Sequence, residues 1–329
     1  MHLSIIIPVY NVEDYIEKCI RSLENQDIPK TDFEIIVTND GSPDNCKAIV
    51  ERLQVEFSNL ILVNQENQGV SMARNNAIAL AKGKYILPID PDDYVLPNTL
   101  GSVLDLAEQH QLDVLYLGFE IFNASGKSVW HTDYSNQEGT IYDGVEGYFV
   151  SRGYAVRDPD RSWAMLYRRE MLQHYSIHYP KDVPYLEDGL FLAKVFTVAN
   201  RVGFENKKFY QRTTRAGSAT NSRLFYSEKA IQGFIKAVQD VKQFSKQFDF
   251  NQKQRGLVNH VVAKFVFLSL APSTSSFQFR RYFAILKILK QANLNILDGD
   301  GVRFLYRSYV KVYNISKLIF LFYFRFYKK

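Results

Sequence analysis

The chain has 329 residues, 46% apolar and 23% charged, a composition that excludes disordered and fibrous classes and allows one large or two modest domains. Its formal charge of +5 conceals a division: residues 220–329 hold 19 Lys+Arg against 5 Asp+Glu, whereas residues 1–219 hold 21 against 30. The last third also carries 22 of the 47 aromatic residues, so the two parts are expected to meet different partners.

From the N-terminus, Leu3–Val9 is a β-branched run with no basic lead or cleavage site, and no signal peptide is expected. Strand-like runs recur at Phe33–Thr38, Leu60–Val63, Lys84–Ile89 and Asp113–Glu120. Helix-period stretches lie between them at Val12–Glu24, Pro43–Phe57, Gly69–Ala81 and Pro97–Gln109. This alternation predicts an α/β fold with a mainly parallel sheet covered by helices on both faces. Ligands of such sheets bind outside the carboxyl ends of the strands.

Residues 121–160 read as polar loop and short strands, Gly189–Ala199 as a helix and Lys207–Arg212 as a strand. Beyond residue 227 the pattern is helical, near 227–247, 252–270, 278–292 and 302–327, with breaks at Pro272–Ser276 and Asp298–Gly301. No apolar run reaches the roughly 20 residues of a membrane-spanning helix; the nearest is Leu318–Phe324. Cys19 and Cys46 sit in helical-looking segments, so no disulfide framework is expected and a reducing, cytoplasmic setting fits.

The chemistry concentrates in the loops after the strands. Ile89-Asp90-Pro91-Asp92-Asp93 closes a buried strand with two carboxylates one residue apart. Bare charges so close are costly, and a divalent cation of the Mg²⁺ or Mn²⁺ type would make sense of them. Pro91 disfavours a helical Asp90 and keeps it extended. A solvated acidic turn is the plainer alternative for the triplet by itself. Pro8-Val9-Tyr10-Asn11 ends the first strand and Asn39-Asp40-Gly41-Ser42 the second. After the third come Asn67-Gln68-Gly69 and a helix carrying Ala73-Arg74-Asn75. Asp40 could accept hydrogen bonds from a base or ribose, and Gly41 and Gly69 would let backbone approach a ligand. Each cluster alone could be turn chemistry; four in register point to one crevice.

Together these segments resemble a family 2 glycosyltransferase of the GT-A fold, of the kind that builds bacterial surface polysaccharides. The likeness is close over about the first 100 residues and weaker to about residue 219. It implies a GT-A nucleotide-sugar-binding domain over residues 1–219, followed by a helical region over residues 220–329. It implies that Pro8, Tyr10, Asn11 and Asp40 hold the nucleotide, with Gly69 and Arg74 on the donor side. Asp90 and Asp92 would engage the ribose and a Mn²⁺- or Mg²⁺-bound diphosphate. Pro91 and Ala77 are mild departures from the family pattern. By the same resemblance Asp188, in Tyr185-Leu186-Glu187-Asp188-Gly189, is the base of an inverting displacement, with Glu187 orienting it or contacting the acceptor. Helix capping is the alternative for both acids. Arg212 and Arg215 are expected near the donor phosphates, and Trp163 near the acceptor, where an indole could stack on a sugar.

The implied partners are a nucleotide-sugar donor, commonly a uridine nucleotide, and a glycan or polyprenyl-linked acceptor. The basic, aromatic region beyond residue 220 has three readings: packing on the catalytic domain, docking on an anionic membrane, or nucleic-acid binding. The last lacks any recognised motif, and packing together with peripheral membrane docking is favoured. A catalytically degenerate module acting as a scaffold is the non-enzyme alternative.

Overall fold

A computed structural model describes residues 1–152, 160–183, 185–214, 227–275 and 278–327. Arg215, expected beside the donor phosphates, lies outside them. The chain divides into two compact units, Met1–Lys181 with Val198–Ser218, and Asp182–Thr197 with Ala219–Lys329. The sequence reading leaves Asp182–Thr197 in the first domain; the structure groups it with the C-terminal helices.

The first unit is built on β1 (Leu3–Val9), β2 (Phe33–Asp40), β3 (Leu60–Gln65) and β4 (Tyr85–Pro88). Every residue of β1 and β2 is buried, which explains their continuous apolar reading. All pairings among these four strands are parallel, in the order β3-β2-β1-β4. The crossovers are α1 (Glu13–Glu24), α2 (Cys46–Glu56) and α3 (Val70–Leu80). Register places Val9 opposite Asn39 and Asp40 opposite Gln65, so the loops that follow these strands open at one end of the sheet.

The sheet continues through β8 (Met165–Arg168), antiparallel to both β4 and β6 (Val114–Phe122), and β9 (Val202–Thr213), parallel to β6. β7 (Ser128–His131) adds to β6. β5 (Tyr94–Val95) pairs with Tyr210 and Gln211 of β9, making nine strands among the described residues. Two residues are too short for a periodic signal, and this strand is not visible in the sequence. It nevertheless fastens the end of β9 to the segment just after Asp92-Asp93. Helix α4 (Leu100–Gln109) precedes β6, and α6 (Arg169–His174) follows β8. Residues 121–160 are not only loop and strand: α5 spans Gly144–Ser151. Its Asp143 carboxylate accepts from the Glu146 N–H at 2.8 Å, a cap that outweighs the glycines read as punctuation.

The second unit is helical: α7 (Glu187–Val198), α8 (Glu228–Ser245), α9 (Gln252–Ser275), α10 (Phe279–Gln291), α11 (Phe304–Ile315) and α12 (Lys317–Tyr327). Lys194 of α7 donates to Asp240 of α8 at 2.8 Å, and Gln254 of α9 donates to the Thr197 carbonyl at 2.7 Å. Helix α9 is the centre of the unit, packing on α8, α10, α11 and α12. It continues through Pro272 where the sequence predicts a break. There the Ser273 and Thr274 hydroxyls donate to the Leu270 and Ala271 carbonyls, so buried hydroxyls bond the last turn. By length and composition alone α9 could cross a bilayer, contrary to the sequence expectation; most of that stretch is buried within the protein. The long helix expected over 302–327 is two, parted at extended Ser316, whose hydroxyl caps Ile319 N–H at 3.3 Å.

Gly83 tests the first unit's packing. A Cβ there would lie 2.4 Å from the Leu3 carbonyl carbon and the Ser4 nitrogen of β1. The Gly83 N–H also donates to Ser4 Oγ at 2.8 Å, and Ser4 donates to buried Glu34 at 2.6 Å. Backbone has nowhere to yield, so Gly83→Ala should lower unfolding free energy by about 1–3 kcal/mol in urea titration. An unchanged midpoint would contradict this packing.

Candidate active site

The loops after β1 and β2 are locked together. Asn11 has φ 55 and its N–H donates to Ser42 Oγ at 2.7 Å. Ser42 donates to Asp44 at 2.6 Å, and the other Asp44 oxygen accepts from the Glu13 N–H at 2.8 Å. Glu13 in return accepts from the Asn45 N–H at 2.8 Å. The N-termini of α1 and α2 are thereby cross-capped by each other's acids. Burial opposes the charge on Asp44, but bonds from Ser42, Cys46 and the Glu13 N–H prevail and bring its pKa down to about 2. Tyr10 stands beside this clamp, half exposed, while Pro8 is buried within β1 opposite Thr38.

Asp40 is almost wholly buried and closes the next loop. One oxygen accepts from Gln65 Nε2 at 2.7 Å and the Gln68 N–H at 2.8 Å; the other accepts from the Gly69 N–H at 2.8 Å. A carboxylate offers about four acceptor positions, so three are occupied by this turn and room for a ligand donor remains. Gln65 is fixed in turn by Asn76, which donates to its Oε1 at 2.6 Å. Gly69 adopts φ 86 at the N-terminus of α3, a conformation that side chains rarely tolerate.

The third cluster follows β4. Arg74, buried on α3, donates to Asp90 at 2.9 Å, and its guanidinium lies 5.1 Å from the Tyr179 ring. Its place is beneath Asp90, as a support. Its neighbour Asn75 holds Tyr179 by two bonds of 2.8 and 2.9 Å. Asp93 turns inward: Tyr210 O–H donates to one oxygen at 2.6 Å and the Thr213 N–H to the other at 2.7 Å. The Tyr210 oxygen accepts from the Asp90 N–H at 3.1 Å, and the Thr213 hydroxyl donates to the Asp92 carbonyl. Burial first, then the Asp90 and Asp92 charges, hold the Asp93 pKa well above the ordinary carboxylate range. Asp93, Tyr210 and Thr213 were not singled out by sequence; the acid after the D-x-D pair and the Tyr-Gln-Arg run were the available signals.

Trp163, expected near the acceptor, lies in the core. It is only 6% exposed, stacks on Tyr210 at 4.8 Å and meets the Phe119 edge at 4.9 Å. Through Tyr210, whose oxygen accepts from the Asp90 N–H, this indole backs the Asp90 loop. Arg212 is half-buried, its guanidinium 5.3 Å from that indole.

Glu187 and Asp188 belong to the second unit, in the first turn of α7. Leu186 before them has φ 60. Both acids are partly exposed and near the positive end of the helix, where their charges are favoured.

Among the described residues no group of three His, Cys, Asp or Glu forms a cation cage. The donor set still fits a hard ion that brings its own ligands: Mg²⁺-type sites commonly use one or two carboxylates plus phosphate oxygens. Asp90 and Asp92 would supply them, and Asp93 is committed elsewhere. A cavity of about 580 Å³ lined by Lys18, Ser22, Tyr94 and Leu96 contains none of these acids.

Comparison with known proteins places the chain in a family. Residues 4–175, more than half the chain, match the glycosyl transferase family 2 profile. The chain is 33% identical over 208 residues to the uncharacterized glycosyltransferase EpsJ of Bacillus subtilis (strain 168), covering 63% of this chain and 60% of EpsJ. It is 31% identical over 224 residues to the poly(ribitol-phosphate) beta-N-acetylglucosaminyltransferase TarS of Staphylococcus aureus, covering 68% of this chain and 37% of TarS. The matches thus span three fifths or less of these relatives. The crystal structure of TarS residues 1–349 with UDP-GlcNAc superposes with a TM-score of 0.74 at 23% identity, covering 99% of this chain and 92% of that one. The fold is shared.

Two measurements probe the site's scaffold. Tyr210→Phe deprives buried Asp93 of a donor and the Asp90 N–H of its acceptor, and should cost about 1–3 kcal/mol in urea unfolding. Asp44 has a folded pKa below its unfolded value near 3.8, so its stabilisation is complete above that value and fades as pH falls through about 2. The stability gap between wild type and Asp44→Asn should therefore hold steady from pH 7 to 5 and narrow below pH ~4. A gap that widens on acidification would refute the clamp.

Proposed function

Because this chain belongs to glycosyl transferase family 2, we propose that it moves a sugar from a nucleotide-sugar donor to a hydroxyl of a glycan or lipid-linked acceptor in surface-polysaccharide synthesis. The observation that carries this reading is the row of clusters at the carboxyl ends of β1, β2 and β4. A nucleoside has exposed Tyr10 and the remaining acceptor position of Asp40 on one side. The diphosphate has Asp90 and Asp92 on the other. A uridine nucleotide is the preferred donor, in keeping with the UDP-GlcNAc bound to TarS. Teichoic-acid-type relatives favour a hexosyl or N-acetylhexosaminyl group.

A bound Mn²⁺ or Mg²⁺ would neutralise the diphosphate and help it to leave. Arg74 holds Asp90 in place, and Pro8, Asn11 and Gly69 shape the backbone around the nucleotide. Arg212 and Arg215 supply positive charge toward the leaving group. The acceptor oxygen attacks the anomeric carbon as the bond to the diphosphate oxygen breaks. Asp188 takes the hydroxyl proton, with Glu187 orienting it, and the single displacement inverts the anomeric centre. The acidic first turn of α7 supports that assignment. The enzyme would work in the cytoplasm, at the inner face of the membrane if the acceptor is lipid-linked.

The test is nucleoside diphosphate release across a panel of nucleotide sugars with Mn²⁺ or Mg²⁺. Asp188→Asn should lower kcat by roughly 10²–10⁴-fold with donor binding retained. Asp92→Ala should weaken donor binding and remove its cation dependence. Wild-type turnover in both variants would overturn these roles. No release from any donor would leave a degenerate scaffold as the better reading.

A further inference from the structure

Over Leu318–Phe322 the outer side of α12 is apolar. Its inner side is ordinary core: Phe320, Leu321 and Phe324 are buried, with Phe320 5.0 Å and Phe324 6.0 Å from the Phe267 ring of α9. The opposite side should then be polar, as on α8, where Glu228, Lys229, Gln232 and Lys236 are exposed. Instead Leu318 is 52% exposed, Ile319 57% and Phe322 41%, spaced so that they share one face. Ile315, at the end of α11, is 80% exposed beside them in sequence. A stretch of helix apolar on both sides belongs in a core or a membrane, and these three side chains lie outside the core.

Helix α10 meets the start of this patch, because Tyr282 O–H donates to the Lys317 carbonyl at 2.6 Å. It exposes Phe279 and Phe283 on the turns flanking Tyr282. The helices that adjoin α12 in sequence or by that bond carry exposed cations: Arg280, Lys287 and Lys290 on α10 and Arg307 and Lys311 on α11. Residues 278–329 hold eleven Lys+Arg against two acids, Asp298 and Asp300.

We propose that Leu318, Ile319 and Phe322, with Ile315 and the exposed phenylalanines of α10, form a docking face for an anionic lipid bilayer. The side chains enter the headgroup–acyl boundary while the flanking cations meet lipid phosphates. Charge selects this occupant over a second copy of the chain: an isologous contact would set the same cation-rich surface against itself. Nucleic acid would satisfy the cations and leave the apolar stripe in water. The inference stands on this surface alone and does not depend on the reaction proposed above.

The test is cosedimentation of the full chain with phosphatidylcholine vesicles, with and without phosphatidylglycerol. Wild type should pellet with the anionic vesicles and stay in solution with the neutral ones. The triple variant Leu318→Gln/Ile319→Gln/Phe322→Gln should partition about tenfold less or weaker still, with an unchanged circular dichroism spectrum. Arg280→Gln/Lys287→Gln/Lys311→Gln should lose the preference for anionic lipid, which keeps the idea testable should the first variant misfold. Wild type that ignores anionic vesicles, or a folded apolar variant that binds as wild type does, would overturn it. So would a wild-type dimer in sedimentation velocity that the apolar variant abolishes without any vesicle binding. Sugar transfer to a soluble acceptor is measured in parallel, so loss of docking is read separately from loss of chemistry.

Discussion

Three carboxyl groups in four residues, Asp90, Asp92 and Asp93, meet at the end of one buried strand, and their mutual repulsion is the constraint the surrounding structure answers. Each is handled differently. Asp90 receives a buried guanidinium from Arg74, a cation itself desolvated and therefore dependent on the pair. Asp93 is drawn inward and given two donors from β9. Asp92 has its carbonyl, and so its backbone position, fixed by Thr213. The result is a loop whose inner acid is held by β9 and whose first acid is held by α3. A cation and a diphosphate would complete this balance of charge, which is why the site reads as half of an electrostatic arrangement.

The same economy governs the neighbouring loops. Parallel register brings the ends of β1, β2 and β3 level, and the acids there serve the backbone before they can serve a ligand. Asp44 and Glu13 cross-cap two helices, and Asp40 ties Gln68 and Gly69. Since β2 and β4 both border β1, the Asp40 and Asp90 clusters stand two strand spacings apart, about 10 Å. That separation suits a nucleoside at one end and its phosphates at the other. Rigid loops matter here because binding energy is lost whenever a ligand must first order its own site.

The parallel core was legible because its strands are short, mostly apolar runs and each crossover a helix-period stretch. Residues 3–9 and 33–38 needed no tertiary information to be read. The Asp40 and Asp90 clusters were legible as positions, since loops at carboxyl ends follow from that alternation. Their partners were not. Tyr210 is 117 residues from Asp93, and strand pairings of β9 with β5 and β6 bring them together. Trp163 shows the same limit from the other side. Sequence offers an aromatic; whether its face meets a sugar or Tyr210 is settled by long-range packing. Helix α5 was hidden by its own glycines, although Asp143 and Glu146 had the spacing of a cap. Splitting 302–327 required Ser316, a residue whose capping role is visible only once the chain turns there.

The two units treat charge in opposite ways. In the first, Asp40, Asp44, Asp90 and Asp93 each accept from a local donor. In the second, twenty cations stand against eight acids, and described pairs such as Lys194–Asp240 and Lys236–Asp182 neutralise only a few of them. Surplus like charge opposes compactness, and an apolar outer face on α12 opposes solubility. Neither feature improves a helical unit that only has to fold in water. Both become favourable together at a surface that is negative outside and apolar beneath. On the docking proposed above, the composition imbalance that divides the chain at residue 220 follows from a second unit that rests on such a surface.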